Sequence, residues 1–130
     1  MSDLNVGDAV PDLSVTPDKY LPHRYAGASG DFNPIHIDDE FAKMVGLPRN
    51  ILHGLYSMGL VAKANTAIAG GDPRALKRLS VQFRGMGMPE QEIVVSGTVK
   101  SVDGDTVVVD TVANQGETAI IKNAEAEVEL

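Results

Sequence analysis

The chain contains no cysteine. That absence excludes disulfides, thiolate nucleophiles and Cys-based zinc sites, and it fits a reducing compartment. Positive charge is also scarce: 11 Lys and Arg stand against 18 Asp and Glu, for a formal net charge of -7. Such a surface repels phosphate backbones and anionic headgroups, so no nucleic-acid partner and no membrane partner is expected. Long apolar runs are missing as well. The stretch from Ile51 to Ala69 is interrupted by His53, Lys63 and Asn65, which makes it a poor bilayer span. Met1-Ser2-Asp3-Leu4-Asn5 shows neither the basic start nor the apolar run of a secretory signal. The expectation is a cytoplasmic protein. What remains is ordinary for a globular chain: 130 residues, 43% hydrophobic and 22% charged, the size of a single domain spanning 1–130.

Prolines at 11, 17 and 22 suit an opening strand and irregular chain. Asp38-Asp39-Glu40 ahead of Phe41-Ala42-Lys43-Met44-Val45 gathers carboxylates at the positive end of a short helix, with Gly46 placed to stop it. From Gly54 to Ala69, Leu55, Met58, Val61, Ala62 and Ile68 recur near helical spacing among small residues, which predicts a buried helix over about 53–69. Gly70-Gly71-Asp72-Pro73 ends it. The period then changes to two. Leu79–Arg84, Ile93–Val102, Thr106–Val112 and Ala124–Leu130 read as strands, with a tight hairpin at Asp103-Gly104-Asp105. The reading is an α+β domain in which a meander of at least four antiparallel strands wraps one helix of about 24 Å. Unpaired edge strands in such a sheet favour a homodimer.

The chemistry concentrates in Tyr25-Ala26-Gly27-Ala28-Ser29-Gly30-Asp31-Phe32-Asn33-Pro34-Ile35-His36, followed by Ile51-Leu52-His53-Gly54. Glycines 27 and 30 and the Asn33-Pro34 turn make a stiff loop that can aim Asp31 and His36 at one point. The plainer alternative is that Asp31 and Asn33 cap a turn and His36 is structural.

Gly30-Asp31-x-Asn33-Pro34-Ile35-His36, followed by Ala42, resembles the hydratase signature of the MaoC-like family, which includes (R)-specific enoyl-CoA hydratases. Val6-Gly7-Asp8, Leu52-His53-Gly54 and Val81-Gln82-Phe83-Arg84 resemble further landmarks in their usual order, so nearly the whole chain is covered. The resemblance implies a hot-dog fold and addition of water to a 2-enoyl thioester, or its removal, with (R) stereochemistry. It also implies no cofactor, the substrate being an acyl-CoA, with coenzyme A entering as part of it, or an acyl-carrier thioester. Tyr20-Leu21-Pro22-His23-Arg24 departs from the pattern, placing a proline where relatives often approach the motif as uninterrupted helix.

Hydration needs a base for the attacking water, an acid for Cα, and donors for the charge growing on the thioester oxygen. Carboxylates and imidazoles, with reference pKa values of about 3.9 and 6.5, can take complementary protonation states, so Asp31 and His36 form a coupled acid-base pair. Free N–H groups at a helix start suit the third task, and the resemblance assigns the oxyanion contact to Gly54 and water positioning to Asn33. His53 borders this site as a participant or a simple hydrogen-bond donor; Tyr56 and Ser57 line either a substrate pocket or the core. Arg74, Lys77, Arg78 and Arg84, with no acid between 74 and 89, are candidates for the phosphates of CoA. Histidines 23, 36 and 53 lack metal-ligand spacing in the sequence, so no metal is expected.

Two rivals share the fold. A hot-dog thioesterase would commonly carry an acid on the central helix, and Gly54–Ala69 contains neither Asp nor Glu. A non-catalytic partner subunit of a heteromeric dehydratase would have little use for Asp31, Asn33 and His36 together.

Overall fold

The computed structural model describes residues 4–130; Met1–Asp3, read above for a targeting signal, lie outside the described residues. The chain runs β1 (Ala9–Val15), α1 (Leu21–Ser29), α2 (Pro34–Ile37), α3 (Asp39–Met44) and α4 (Gly54–Thr66). Then follow β2 (Leu76–Phe83), β3 (Ile93–Asp103), β4 (Thr106–Gln115) and β5 (Thr118–Glu129). All strand pairs are antiparallel, in the order β1-β3-β4-β5-β2. This is the expected α+β class, yet the meander has three strands, β3-β4-β5. β2 crosses to the far edge and pairs with β5, because α4 separates it from β1 and delivers it to the opposite side.

The helix packs on the concave side and touches every strand of the sheet. Its buried stripe is Ser57, Leu60, Val61, Ala64 and Asn65, while Leu55 is exposed. The expected stripe is therefore turned: Val61 holds, but Leu55 faces outward. In a segment this rich in small apolar residues the periodicity identifies no single face, and contact with Ile93, Val95, Ile120 and Ile121 selects one. Asn65 fixes the register of helix on sheet, its Nδ2 donating to Val61 O at 2.9 Å and to Thr111 Oγ1 at 3.1 Å. Helical hydrogen bonding tightens to a 3-10 turn at Ala67–Ala69, and Gly70 at φ 69 stops it.

Pro22 does not interrupt the approach to the motif. It sits in the first turn of α1, where its missing N–H would have no partner anyway, and its fixed φ is already helical. The helix ends at Gly30, at φ 79, whose N–H bonds Ala26 O. Asp38 caps α3, its side chain accepting from the Phe41 N–H at 3.1 Å. The Gly104 hairpin forms as expected, with Asp103 opposite Thr106. The last strand begins earlier than its alternation suggested. Ile120 and Ile121 are both buried because β5 spends two steps from Ala119 to Ile121 where β4 spends one from Asn114 to Ala113. A second bulge near Asn123, at φ 49, spends three steps from Lys122 to Glu125 where β2 spends two from Gln82 to Ser80. Beyond the bulge Ala124, Ala126 and Val128 point inward and the glutamates outward, as the alternation predicts.

No helix among the described residues is long and apolar enough to cross a membrane.

Candidate active site

Gly30 in its left-handed conformation turns the chain out of α1, and Asn33 starts α2, its Oδ1 accepting from the Ile35 N–H at 3.2 Å. Asp31 Oδ1 accepts from the Asn33 N–H at 3.2 Å. Both residues therefore do the capping that the plainer alternative foresaw. Capping uses one oxygen of Asp31; the other, Oδ2, faces His36 Nε2 at 3.9 Å. That gap is too long for a direct hydrogen bond and suits a bridging water. Asp31 is half exposed and His36 nearly buried, with side-chain exposures of 53% and 10%.

His36 is oriented by the segment ahead of α4. Its Nδ1–H donates to Ile51 O at 2.9 Å, and its own carbonyl accepts from Asn50 Nδ2 at 2.9 Å. A carbonyl can only accept, so Nδ1 carries the hydrogen and Nε2 is the nitrogen left to exchange protons. His53, the N-cap residue of α4, stacks on His36 with centroids 3.9 Å apart and rings 20° from parallel. Its Nε2–H donates to Asp31 O at 3.0 Å, and Tyr25 packs on it at 4.6 Å. His53 Nδ1 is buried without a partner among the described residues. Tyr56 packs edge-on against Tyr25, and its partial burial raises its pKa.

The histidines are closer than their spacing suggested. Asp31, His36 and His53 bring one donor atom each within 4.8 Å of one another. Folding brings α2 and the start of α4 together, which overturns the spacing argument against a shared site. The ring geometry still opposes a shared cation. Near-parallel rings direct their in-plane lone pairs side by side, and an ion about 2.1 Å from each nitrogen cannot lie in both planes.

Beside the pair lies a cleft of about 160 Å³ lined by His36, Gly54, Ser57, Phe83 and Met86 among others. Gly54 opens α4, and a Cβ there would stand 3.2 Å from the Phe83 ring. Its N–H is in the first helical turn, where no intrahelical acceptor exists. Ser57 lines the cleft, whereas Tyr56 does not. No role for Asn50, Ile51 or Phe83 is legible in the residue order. A main-chain acceptor has no signature in residue types, and Phe83 reaches the helix start only through the crossover.

The basic group comes apart. Arg74 pairs with Asp72 at 3.0 Å, Lys77 with Glu129 at 3.9 Å and Arg78 with Glu125 at 3.4 Å. The strand partners of β2 supply carboxylates that the linear count from 74 to 89 could not include. Arg84 alone of the four has no carboxylate partner among the described residues; it donates to Gln82 Oε1 at 2.6 Å, close to Lys122 in one surface depression.

The family model described as the MaoC like domain matches residues 6–120. The chain belongs to the MaoC-like family. Enoyl-CoA hydratase 2, peroxisomal, of Arabidopsis thaliana is 45% identical over 67 residues, 51% of this chain and 22% of that protein. Enoyl-CoA hydratase ChsH3 of Mycobacterium tuberculosis is 34% identical over 119 residues, 88% of this chain and 40% of that protein. This MaoC-like chain thus spans less than half the length of these two relatives. A solved structure named MaoC-like dehydratase superposes with a TM-score of 0.92 at 34% identity, over 98% of this chain and 41% of its own. The (R)-hydratase from A. caviae involved in PHA biosynthesis superposes with a TM-score of 0.81 over 100% of this chain and 99% of its own. At 24% identity that likeness is one of fold: the hot-dog arrangement of sheet around helix.

Proposed function

We propose that this chain adds water to 2-enoyl thioesters and removes it from 3-hydroxyacyl thioesters, with acyl-CoA as substrate and (R) stereochemistry. The observation that carries the reading is the 3.9 Å opening between Asp31 Oδ2 and His36 Nε2 beside the cleft at the start of α4. A water held between the two acceptors attacks Cβ. The pair takes one proton from that water and returns one to Cα, so hydrogen and hydroxyl are added across the double bond with nothing left over. The Gly54 N–H receives the charge that builds on the thioester oxygen, reinforced by the dipole of α4. Asn33, with its Oδ1 engaged in the cap, has Nδ2 left to hold the water. His53 shapes the pocket by stacking on His36, and Ser57 lines the acyl side. No metal and no cofactor is needed.

Family membership and the names of the relatives support this reading, and α4 carries no Asp or Glu to serve a thioesterase. Arg84, without a carboxylate partner among the described residues, is the residue we assign to the CoA phosphates. The edge strands β1 and β2 each leave one side unpaired, which supports a homodimer joined edge to edge; the cysteine-free composition supports a cytoplasmic setting. Light scattering that returns the mass of one chain would refute the dimer, and a mass that doubles only with a second protein would make it a heteromer.

The activity is tested by incubating the purified chain with 2-enoyl-CoA esters and following loss of the conjugated absorbance, then resolving the 3-hydroxyacyl product on a chiral column. Hydrolysis to free CoA without hydration would overturn the reading in favour of the thioesterase.

A further inference from the structure

Resting on the hydratase reading, the shape of the cleft goes further. We propose that the site is limited to acyl groups of about four to six carbons, and that the strap from Arg84 to Gln91 sets the limit. The cleft holds about 160 Å³. An apolar cavity of about 150 Å³ accommodates benzene, a six-carbon group.

Inward the cleft meets close-packed core, and Met86 divides it from a depression of about 400 Å³ on the far side of the strap, lined by Met88, Gln91 and Gln115. Leu52, Ser57 and Ile120 bound the cleft and are only 3%, 4% and 2% exposed. Leu52 and Ile120 belong to the same close-packed cluster as Val61, Ile93 and Val95. Toward the strap the wall is made by the Phe83 and Met86 side chains together with the main chain of Gly85 and Gly87. A Cβ on Gly87 would lie 3.0 Å from Leu52 Cδ1, and one on Gly85 would lie 2.8 Å from Ala119 O.

Main chain can retreat from a longer ligand only if its ties break, and this strap is tied along its length. The Leu52 N–H donates to Gly87 O at 2.8 Å, the Arg84 N–H to Ile120 O at 3.0 Å and the Glu90 N–H to Pro17 O at 2.7 Å. Gln115, buried at the end of β4, clamps the strap: Oε1 accepts from the Met88 N–H at 2.8 Å, and Nε2 donates to Met88 O at 2.8 Å and Gln91 O at 3.1 Å. Losing such bonds in a buried setting costs more than burying another methylene returns. Gln115 is in this sense a positioning residue for substrate length, acting through the strap.

The test uses the full chain with trans-2-enoyl-CoA of four, six, eight, ten and twelve carbons. The expected kcat/KM is highest at four to six and at least tenfold lower by ten. Calorimetric Kd values for the saturated acyl-CoA series need no turnover. They should tighten about fourfold per added methylene while the chain fits, and stop tightening beyond six carbons. Leu52→Ala opens the back wall and Gln115→Ala loosens the strap; each should raise the ten-carbon to four-carbon ratio of kcat/KM, or of affinity if rates are lost. A wild-type kcat/KM or Kd that keeps improving through ten carbons overturns the proposal. A Kd plateau at six without turnover at any length sinks the hydratase reading and leaves the size limit standing, whereas no binding at any length overturns both.

Discussion

Asp31 and His36 stand with Oδ2 and Nε2 3.9 Å apart, each held by main chain on its other side. Oδ1 of Asp31 receives the Asn33 N–H, and Nδ1–H of His36 is donated to Ile51 O. The pair is thus oriented before any substrate arrives, which limits the reorganisation the reaction must supply. Replacing Asp31 with Asn keeps the volume and the cap but removes a proton carrier. Turnover is expected to fall by a factor on the order of 10²–10⁴, with the melting temperature nearly unchanged. Near wild-type rates from a folded Asp31→Asn protein would end the assignment.

His53 is almost fully buried between Tyr25 and His36. His53→Ala should cost about 2–4 kcal/mol in a urea titration, through lost packing and a cavity. His53→Phe restores the ring but not the N–H donated to Asp31 O, so it should recover most of the stability and little of the rate. Recovery of both would reduce His53 to a packing residue.

At Gly54 the neighbouring ring decides the effect of a side chain. Gly54→Ala gains about 0.4–1 kcal/mol by narrowing the unfolded chain's freedom, and its Cβ meets the Phe83 ring at 3.2 Å, an aromatic that can shift. Stability is expected to stay near wild type while kcat/KM drops roughly tenfold, because methyl and displaced ring narrow the approach to the N–H. A paired Phe83→Leu substitution should recover part of that loss in steady-state assays.

The separation of Arg84 from its basic neighbours predicts unequal effects. Arg84→Ala should raise KM for acyl-CoA on the order of tenfold, the size of one charge-assisted hydrogen bond. Arg74→Ala should leave KM alone, since that guanidinium is already occupied by Asp72. Equal effects of the two substitutions would argue for a diffuse field in place of a contact.

Asp39 accepts from the Asn50 N–H and pairs with Lys43, and these two contacts hold its pKa below the usual carboxylate value. A lowered folded pKa means that the unfolded chain binds the proton more readily. The contribution to stability is therefore complete above about pH 4 and is lost as pH falls through the folded value. Thermal melts of Asp39→Asn and wild type should differ most at neutral pH and converge in acid. Because Asn50 also holds His36, the same variant should lower kcat more than it raises KM.

Some of this was determined by sequence alone, because local rules decide it. The helix start at Asp38, the helix from Gly54, the hairpin at Gly104 and the inward run of Ala124, Ala126 and Val128 follow from capping, helical spacing, turn chemistry and a period of two. The motif from Gly30 to His36 was legible because its residues are neighbours in the chain. Other features depend on contacts between distant segments, which residue order does not encode. These are the crossover that seats β2 beside β5, the face α4 buries, the stacking of His53 on His36, and the glutamates that neutralise Lys77 and Arg78. The course of the strap along the cleft belongs here too, since main chain tied by Gln115 is specified by where its hydrogen bonds land and not by the side chains it carries.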